Sequence, residues 1–176
     1  MPKALVRLSG ELLVDRSMDV LRAAGCDPVV VVLGAAADEV RTRAAFDGAV
    51  AVDNPDWVTG MGSSLRTGLA ALADTGAVAA AVVLVDMPGV TAAAVRRVGA
   101  GAGPADLVMA GYGNGRSGHP VLLGRDHWAG VAALALGDVG ARPYLQAHAT
   151  EVRVVPCADV VDDGDLDVDH RRAAPG

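Results

Sequence analysis

The sequence predicts an α/β domain in which helices cover both faces of a mostly parallel sheet. Short apolar runs alternate with segments of helical periodicity along the chain, which is the pattern of a three-layer α/β fold. Two of the runs, residues 29–33 (VVVVL) and 79–85 (AAAVVLV), are continuous, and such runs are typical of strands covered on both faces. The length of 176 residues suits one domain with a substantial core.

The first half of the chain predicts alternating helices and strands. Residues 12–24 have an apolar stripe and end at Gly25, a common helix stop. The dipeptide Asn54-Pro55 breaks the chain after a short strand. The expected elements are helix 12–24, strand 29–33, helix 37–46, strand 49–53, helix 63–72 and strand 79–85.

The second half continues the pattern. Thr91 is suited to cap a helix, and residues 111–118 (GYGNGRSG) form a loop rich in turn residues. The expected elements are helix 91–98, strand 105–110, strand 119–123, helices 126–134 and 141–148, and strand 151–155. We expect residues 1–170 to form the domain and residues 171–176 a disordered tail.

Composition argues against several classes of protein. The net charge is −6 and no dense basic patch is present, which argues against a nucleic-acid partner. No apolar run reaches the ~18 residues of a membrane span. Cys26 and Cys157 are isolated, as expected for free thiols in a reducing compartment, here the cytoplasm.

Asp86 is the sharpest chemical signal. It directly follows the strand at 79–85, and ligands of open parallel sheets bind at the carboxyl ends of strands. A carboxylate at that position is suited to Mg²⁺. A loop or helix-capping aspartate is the alternative interpretation.

A glycine turn precedes the helix at 63–72. Gly62, Ser63 and Ser64 belong to the segment GMGSS, in which the backbone can approach a ligand and the helix N-terminus favours anions. The serine hydroxyls are suited to a ribose or a base edge. A plain helix cap with flexible glycines is the alternative.

Two further features are less specific. Aspartates including Asp167 and Asp169 form an acidic cluster near the C-terminus, for which a solvated tail is the more common interpretation and a return to the metal at Asp86 the functional one. His119 opens a strand after a glycine-rich loop, where a structural role is more common than a catalytic one.

In combination these motifs resemble the molybdenum cofactor cytidylyltransferase family, within the molybdenum cofactor guanylyltransferase-like group. The segment around Gly62 is the most specific piece. The resemblance rests on PKAL (2–5), VVVVLGAAADEVR (29–41), NPDWVTGMGSSLRTGL (54–69), VLVDMPGVT (83–91), GHPVLLG (118–124), GDVGAR (137–142) and DLDVD (165–169).

The resemblance implies a Rossmann-like, GT-A-like nucleotidyltransferase fold. It implies transfer of a nucleotidyl group, CMP from CTP or the guanine equivalent, to a molybdopterin-type phosphate with Mg²⁺ and pyrophosphate release. By the same resemblance Lys3 meets the phosphates, Asp86 binds metal with Asp167 or Asp169, and Gly62, Ser63 and Ser64 contact the nucleotide. His119 and Asp138 fall in motifs near the acceptor.

The sequence departs from the family at two points. The family places a strand and a loop LAAGxGxRMG before PKAL, so we expect a fold whose first strand is missing, with a gap between the strands at 29–33 and 79–85. The family's GDQP is VDMP here. Three readings stay open: an active enzyme; a truncated, inactive relative that binds nucleotide or cofactor or assists molybdoenzyme assembly; and a transferase acting on a sugar phosphate.

Overall fold

The computed structural model describes residues 2–113 and 115–160, and its architecture is mixed α/β. Within these residues no helix combines the length and the apolar character needed to cross a membrane. The strands are β1 (Arg7–Leu8), β2 (Glu11–Leu12), β3 (Val30–Leu33), β4 (Val50–Asp53), β5 (Ala79–Val82), β6 (Leu107–Gly111), β7 (Ser117–Gly124) and β8 (Val152–Pro156). The α-helices are α1 (Leu13–Ala23), α2 (Ala37–Arg43), α3 (Met61–Ala73), α4 (Ala92–Gly99), α5 (Trp128–Leu134) and α6 (Arg142–Ala147).

The larger strands form two separate sheets. β3 and β4 pair in parallel, with Val30 opposite Val50. The other sheet has the order β5-β7-β6-β8, in which β7 is antiparallel to both neighbours and β6 is parallel to β8. The α/β class is therefore confirmed, but the sheet is mixed rather than mostly parallel.

The antiparallel pairs begin with β6 and β7, which are close neighbours in the chain. β6 ends at Gly111 and β7 begins at Ser117, and between them the N–H of Tyr112 donates to Arg116 O at 2.9 Å, so β7 runs back along β6. β7 then lies between β6 and β5, and the segment at 79–82 pairs with it in the antiparallel sense. Our expectation that residues 79–85 form a parallel strand is thus wrong in direction. It is also too long, since β5 ends at Val82.

The four-stranded sheet is covered on both faces. Side chains of β6 alternate between two apolar clusters, with Leu107 in one and Val108 in the other. Helices α3, α5 and α6 contribute to the first cluster and α4 to the second. Strand side chains alternate in direction, so this division places helices on opposite faces and gives the three-layer arrangement expected from the sequence.

The helices agree with the sequence pattern except near their ends. Thr91 caps α4, with its Oγ1 accepting from the N–H of Ala94 at 3.2 Å. Helix α3 begins at Met61, two residues before the expected start. The first element expected from the sequence is the helix at 12–24, whereas a 3₁₀ turn at Lys3–Leu5 and the small hairpin of β1 and β2 precede α1 in the structure.

The gap expected between the two apolar strands is present. Within the described residues, β3 pairs only with β4, and β5 pairs only with β7. A cleft of about 1550 Å³ separates the two sheets, and it is lined by residues of both strands. This volume exceeds that of a typical small-molecule pocket, ~300–1,000 Å³. The cleft therefore combines an inter-sheet opening with the site described below.

Candidate functional site

Asp86 and Lys3 form an ion pair beyond the carboxyl end of β5. The Nζ atom of Lys3 lies 2.8 Å from Oδ2 of Asp86. The Asp86 side chain is 20% exposed and that of Lys3 45%. These residues are 83 positions apart, and they meet because the 3₁₀ turn at Lys3–Leu5 packs through Leu5 on the core that contains Val29 and Val85. A partly shielded carboxylate and an ammonium group thus lie together, while their roles toward metal and phosphate stay predictions.

The glycine turn is packed against a loop of the second half of the chain. Gly60 has φ +111°, which favours glycine. A Cβ on Gly62 would collide with the carbonyl group of Ala135, and the N–H of Gly62 donates to Gly137 O at 2.8 Å. Glycine is required here for close approach between two backbones, in addition to any approach of a ligand.

Asp138 lies at the N-terminus of α3. Its Oδ1 accepts from the N–H of Met61 at 3.2 Å, which satisfies one of the free amide groups of the first helical turn. The carboxylate lies where the helix dipole is positive. Asp138 therefore joins the loop at 135–138 to the glycine turn, and its role toward an acceptor molecule stays a prediction.

The two serines of the turn face different surroundings. Ser63 is buried, and its Oγ lies 2.8 Å from Gly60 O and 3.0 Å from Asp56 O. Ser64 is half-buried and lines the cleft. Both hydroxyl oxygens accept from Nδ2 of Asn54, at 2.8 and 3.0 Å. Ser64 is thus the serine that a molecule in the cleft can reach.

His119 lies at the edge of the same cleft, in β7. Its Nδ1 is 3.1 Å from Val82 O, and since a carbonyl oxygen only accepts, Nδ1 carries the proton. Burial lowers the pKa of His119, and this effect is opposed by the hydrogen bond to Val82 and by the charge of Asp86. The neutral ring then holds an unprotonated Nε2, which can accept a hydrogen bond.

Two of the predicted site residues, Ser64 and His119, line the cleft. Asp86 lies beside it, between the lining residues Val85 and Met87. Asp167 and Asp169 lie outside the described residues. In residues 2–113 and 115–160, no three His, Cys, Asp or Glu side chains approach one another closely enough to hold a metal ion.

Asp86 nevertheless fits one mode of Mg²⁺ binding. Magnesium in nucleotide enzymes is commonly held by one or two carboxylates together with substrate phosphates and water. Asp86 can supply one such carboxylate at a strand end, and Lys3 beside it can balance phosphate charge. The donor set of the described residues is therefore suited to a metal that arrives with a nucleotide, rather than to one held by protein alone.

Asn54 is the site residue that the sequence did not reveal. In the sequence it was interpreted as a chain breaker before Pro55, whereas in the structure it is buried, at 3% exposed, and contacts both serines. A polar residue in NPDW, nine positions before a serine, carries no distinct signal. Only its burial and its contacts identify it.

Comparisons with known proteins show the family of this chain. A family model described as "MobA-like NTP transferase domain" matches residues 1–152. Nicotine blue oxidoreductase of Paenarthrobacter nicotinovorans is 34% identical over 172 residues, which covers 94% of this chain and 83% of that protein.

Solved structures give the same result. The homologue of Rv0371c from Mycobacterium sp. strain JC1 has a TM-score of 0.78 at 32% identity, covering 98% of this chain and 86% of that one. Rv0371c of Mycobacterium tuberculosis H37Rv in complex with manganese has a TM-score of 0.80 at 30% identity, covering 97% and 90%. The family match spans most of the chain, the relatives are 30–34% identical, and the fold is shared. The chain belongs to the MobA-like NTP transferase family.

Proposed function

We propose that this protein transfers a nucleotidyl group, CMP from CTP, to the phosphate of a molybdopterin-type acceptor with release of pyrophosphate. The observation that carries the proposal is the Lys3–Asp86 pair, at 2.8 Å, at the carboxyl end of β5. It lies beside a cleft that also contains Ser64 and His119. A carboxylate for metal, an ammonium for phosphate and a serine hydroxyl together suit a nucleoside triphosphate.

The reaction needs positioned charge rather than a protein nucleophile. An oxygen of the acceptor phosphate attacks the α-phosphorus, a P–O bond forms, and the bond from the α-phosphorus to the bridging oxygen breaks. Pyrophosphate leaves with that electron pair. Asp86 is the residue that would hold Mg²⁺, and bound Mg²⁺ would supply positive charge against the phosphates.

The other groups of this chain bind and orient. Lys3 donates from its ammonium group to phosphate oxygens, where the same charge stabilises the developing negative charge of the leaving group. Ser64 and the glycine turn hold the nucleotide, and Asp138 keeps the turn in place through Met61. Nε2 of His119 accepts a hydrogen bond from the acceptor molecule.

The test is pyrophosphate release by the purified protein with CTP, Mg²⁺ and molybdopterin. Release that requires all three, with GTP less effective, is the expected result. Release with a sugar phosphate in place of molybdopterin would replace the acceptor assignment, and CTP binding without any release would favour a non-catalytic nucleotide binder. Loss of release in Asp86→Asn, with unchanged thermal stability, would tie the activity to the site.

A second candidate is reduction of a conjugated heteroaromatic compound. It is favoured by the 34% identity, over 94% of the chain, with a relative named nicotine blue oxidoreductase. A reduced nicotinamide nucleotide would donate hydride to the compound, and solvent would supply the proton. The loss of nicotinamide absorbance at 340 nm in the presence of such a dye, with no pyrophosphate release from CTP, would support this candidate over the first.

A further inference from the structure

We propose that Asn54 is a positioning residue that directs the hydroxyl proton of Ser64 into the cleft, so that Ser64 acts as a hydrogen-bond donor to the nucleotide. This inference rests on the proposed function, because it takes the molecule in the cleft to be a nucleotide. The inference adds Asn54 to the site and gives the direction of the Ser64 hydrogen bond. The hydroxyl meets a lone pair of the ligand and disfavours an N–H at the same place.

The orientation of the Asn54 amide is fixed by its contacts. Its main-chain N–H donates to Leu33 O at 2.7 Å, which holds the residue at the ends of β3 and β4. Oδ1 accepts from the N–H of Asp56 at 3.0 Å. Only Nδ2 carries protons, so the amide group must point Nδ2 toward the serines. The side chain is buried and all three of its contacts are satisfied at once.

The two serines must then send their own protons elsewhere. Each hydroxyl has one proton to give, and each oxygen already accepts from Asn54. Ser63 gives its proton inward, to the carbonyl oxygen of Gly60 or Asp56. For Ser64 the described part of the chain provides no such acceptor, and the residue lines the cleft. Its proton is therefore available to a bound molecule.

This polarity has a chemical consequence. A donor at Ser64 is matched by a carbonyl oxygen, an unprotonated ring nitrogen or a phosphate oxygen. A ligand that places an N–H there could donate to the second lone pair of Ser64 Oγ, but it would leave the Ser64 hydroxyl proton without an acceptor, and an unmet polar group in a shielded site is costly. Asn54 thus influences which face of a ligand the site accepts, although it is buried behind the serines.

The experiment is a double-mutant cycle on CTP affinity, measured by calorimetry with Mg²⁺ and accompanied by thermal unfolding of every variant. Ser64→Ala removes the donor. Asn54→Asp keeps the shape but has no proton to give, so the serine hydroxyl turns toward it. Each is expected to raise the Kd about 3- to 10-fold, the range of one hydrogen bond. The double variant is expected to be no weaker than the worse single variant, because both remove the same interaction.

Two further variants provide an alternative to Asn54→Asp, in case it misfolds, and a surface control. Asn54→Ser buries no charge, and its side chain is too short to reach both hydroxyls. We expect it to raise the Kd for CTP by the same factor, and it replaces Asn54→Asp in the double-mutant cycle if Asn54→Asp unfolds. Thr42→Ala removes an exposed hydroxyl that donates to Asp38 O at 2.8 Å, and it is expected to leave the Kd unchanged.

The outcomes separate this inference from the proposed function. If Asn54→Asp binds CTP as the wild type does, or if the two losses multiply in the double variant, the positioning role is wrong. The proposed function would still stand in that case, provided that Asp86→Asn weakens the binding of CTP. If the wild-type protein binds no CTP, both are overturned, since Ser64 would have no nucleotide to meet.

Discussion

The two larger sheets of the described residues, β3-β4 and β5-β7-β6-β8, differ in how completely they are buried. In the four-stranded sheet, Val108 and Leu123 are 0% exposed, and β6 and β7 each have a strand on both sides. In the two-stranded sheet, only Leu33 of β3 is buried, while β4 has no buried residue. Both β3 and β4 are edge strands within the described residues. The four-stranded sheet, which we call the platform, is covered on both faces. The sheet of β3 and β4 is stabilised mainly by the helices and turns around it.

The candidate site lies where the two regions meet. Lys3 and Asn54 belong to the side of the two-stranded sheet, whereas His119 and the loop at 135–138 come from the other side. Helix α3 packs against both regions. Asp86 follows β5, the edge of the four-stranded sheet that faces the cleft. We infer that stability depends mostly on the platform and that function depends on the alignment of the two regions.

The largest expected effect is on stability within the platform. Leu123→Ala should destabilise the protein by about 2–5 kcal/mol, because the side chain is fully buried between β5 and β6 and leaves a cavity. Val32→Ala, on half-buried β3, should cost less than about 1 kcal/mol, since it removes fewer buried methyl groups. Urea unfolding of both variants measures this, and equal losses would contradict the contrast between the sheets.

A smaller effect is expected where the regions join. Gly62→Ala places a methyl group against the carbonyl of Ala135, so α3 and the loop at 135–138 must separate. We expect a loss of about 1–3 kcal/mol together with weaker CTP binding. Gly76→Ala is the matched control, because a Cβ there meets nothing within 4 Å. Equal stability of the two variants would show that α3 and the loop at 135–138 are packed less closely than the structure indicates.

The smallest effect concerns pH. Burial lowers the pKa of His119 in the folded state, so the unfolded chain binds its proton more readily, at a pKa of about 6.5. The stabilisation is complete above about pH 6.5 and is lost as the pH falls through the folded pKa. Urea midpoints at pH 7.5 and 5.5 should therefore differ more in the wild type than in His119→Asn, which does not titrate. Parallel curves for the two proteins would contradict the burial of a neutral imidazole.

Sequence patterns predicted the elements better than their pairing. The apolar run at 29–33 and the capping residue Thr91 depend on local chemistry, and both were confirmed. The antiparallel pairing of β5 with β7 joins segments about 40 residues apart, and no local pattern encodes which distant edge a strand will meet. The direction of β5 could therefore not be derived from its composition.

The site shows the same limit. Asp86 was identified from its place after a strand, but its ion pair with Lys3 was not predicted, because the two residues are far apart in the sequence. The burial of Ser63 and the exposure of Ser64 to the cleft are decided by how α3 packs, which the motif GMGSS does not specify. Asn54 acquired a role only once its side-chain contacts were visible.

Metal-dependent binding of CTP is the most direct measurement of the central claim, that the junction of the two regions is a nucleotide site organised around Asp86. Calorimetric titration of CTP with and without Mg²⁺ should show tighter binding with the metal in the wild type, and Asp86→Asn should lose that gain while keeping its thermal stability. Asp159→Asn, which breaks a surface ion pair with Arg97, should behave as the wild type. Equal CTP affinity of Asp86→Asn and the wild type in Mg²⁺ would contradict the claim.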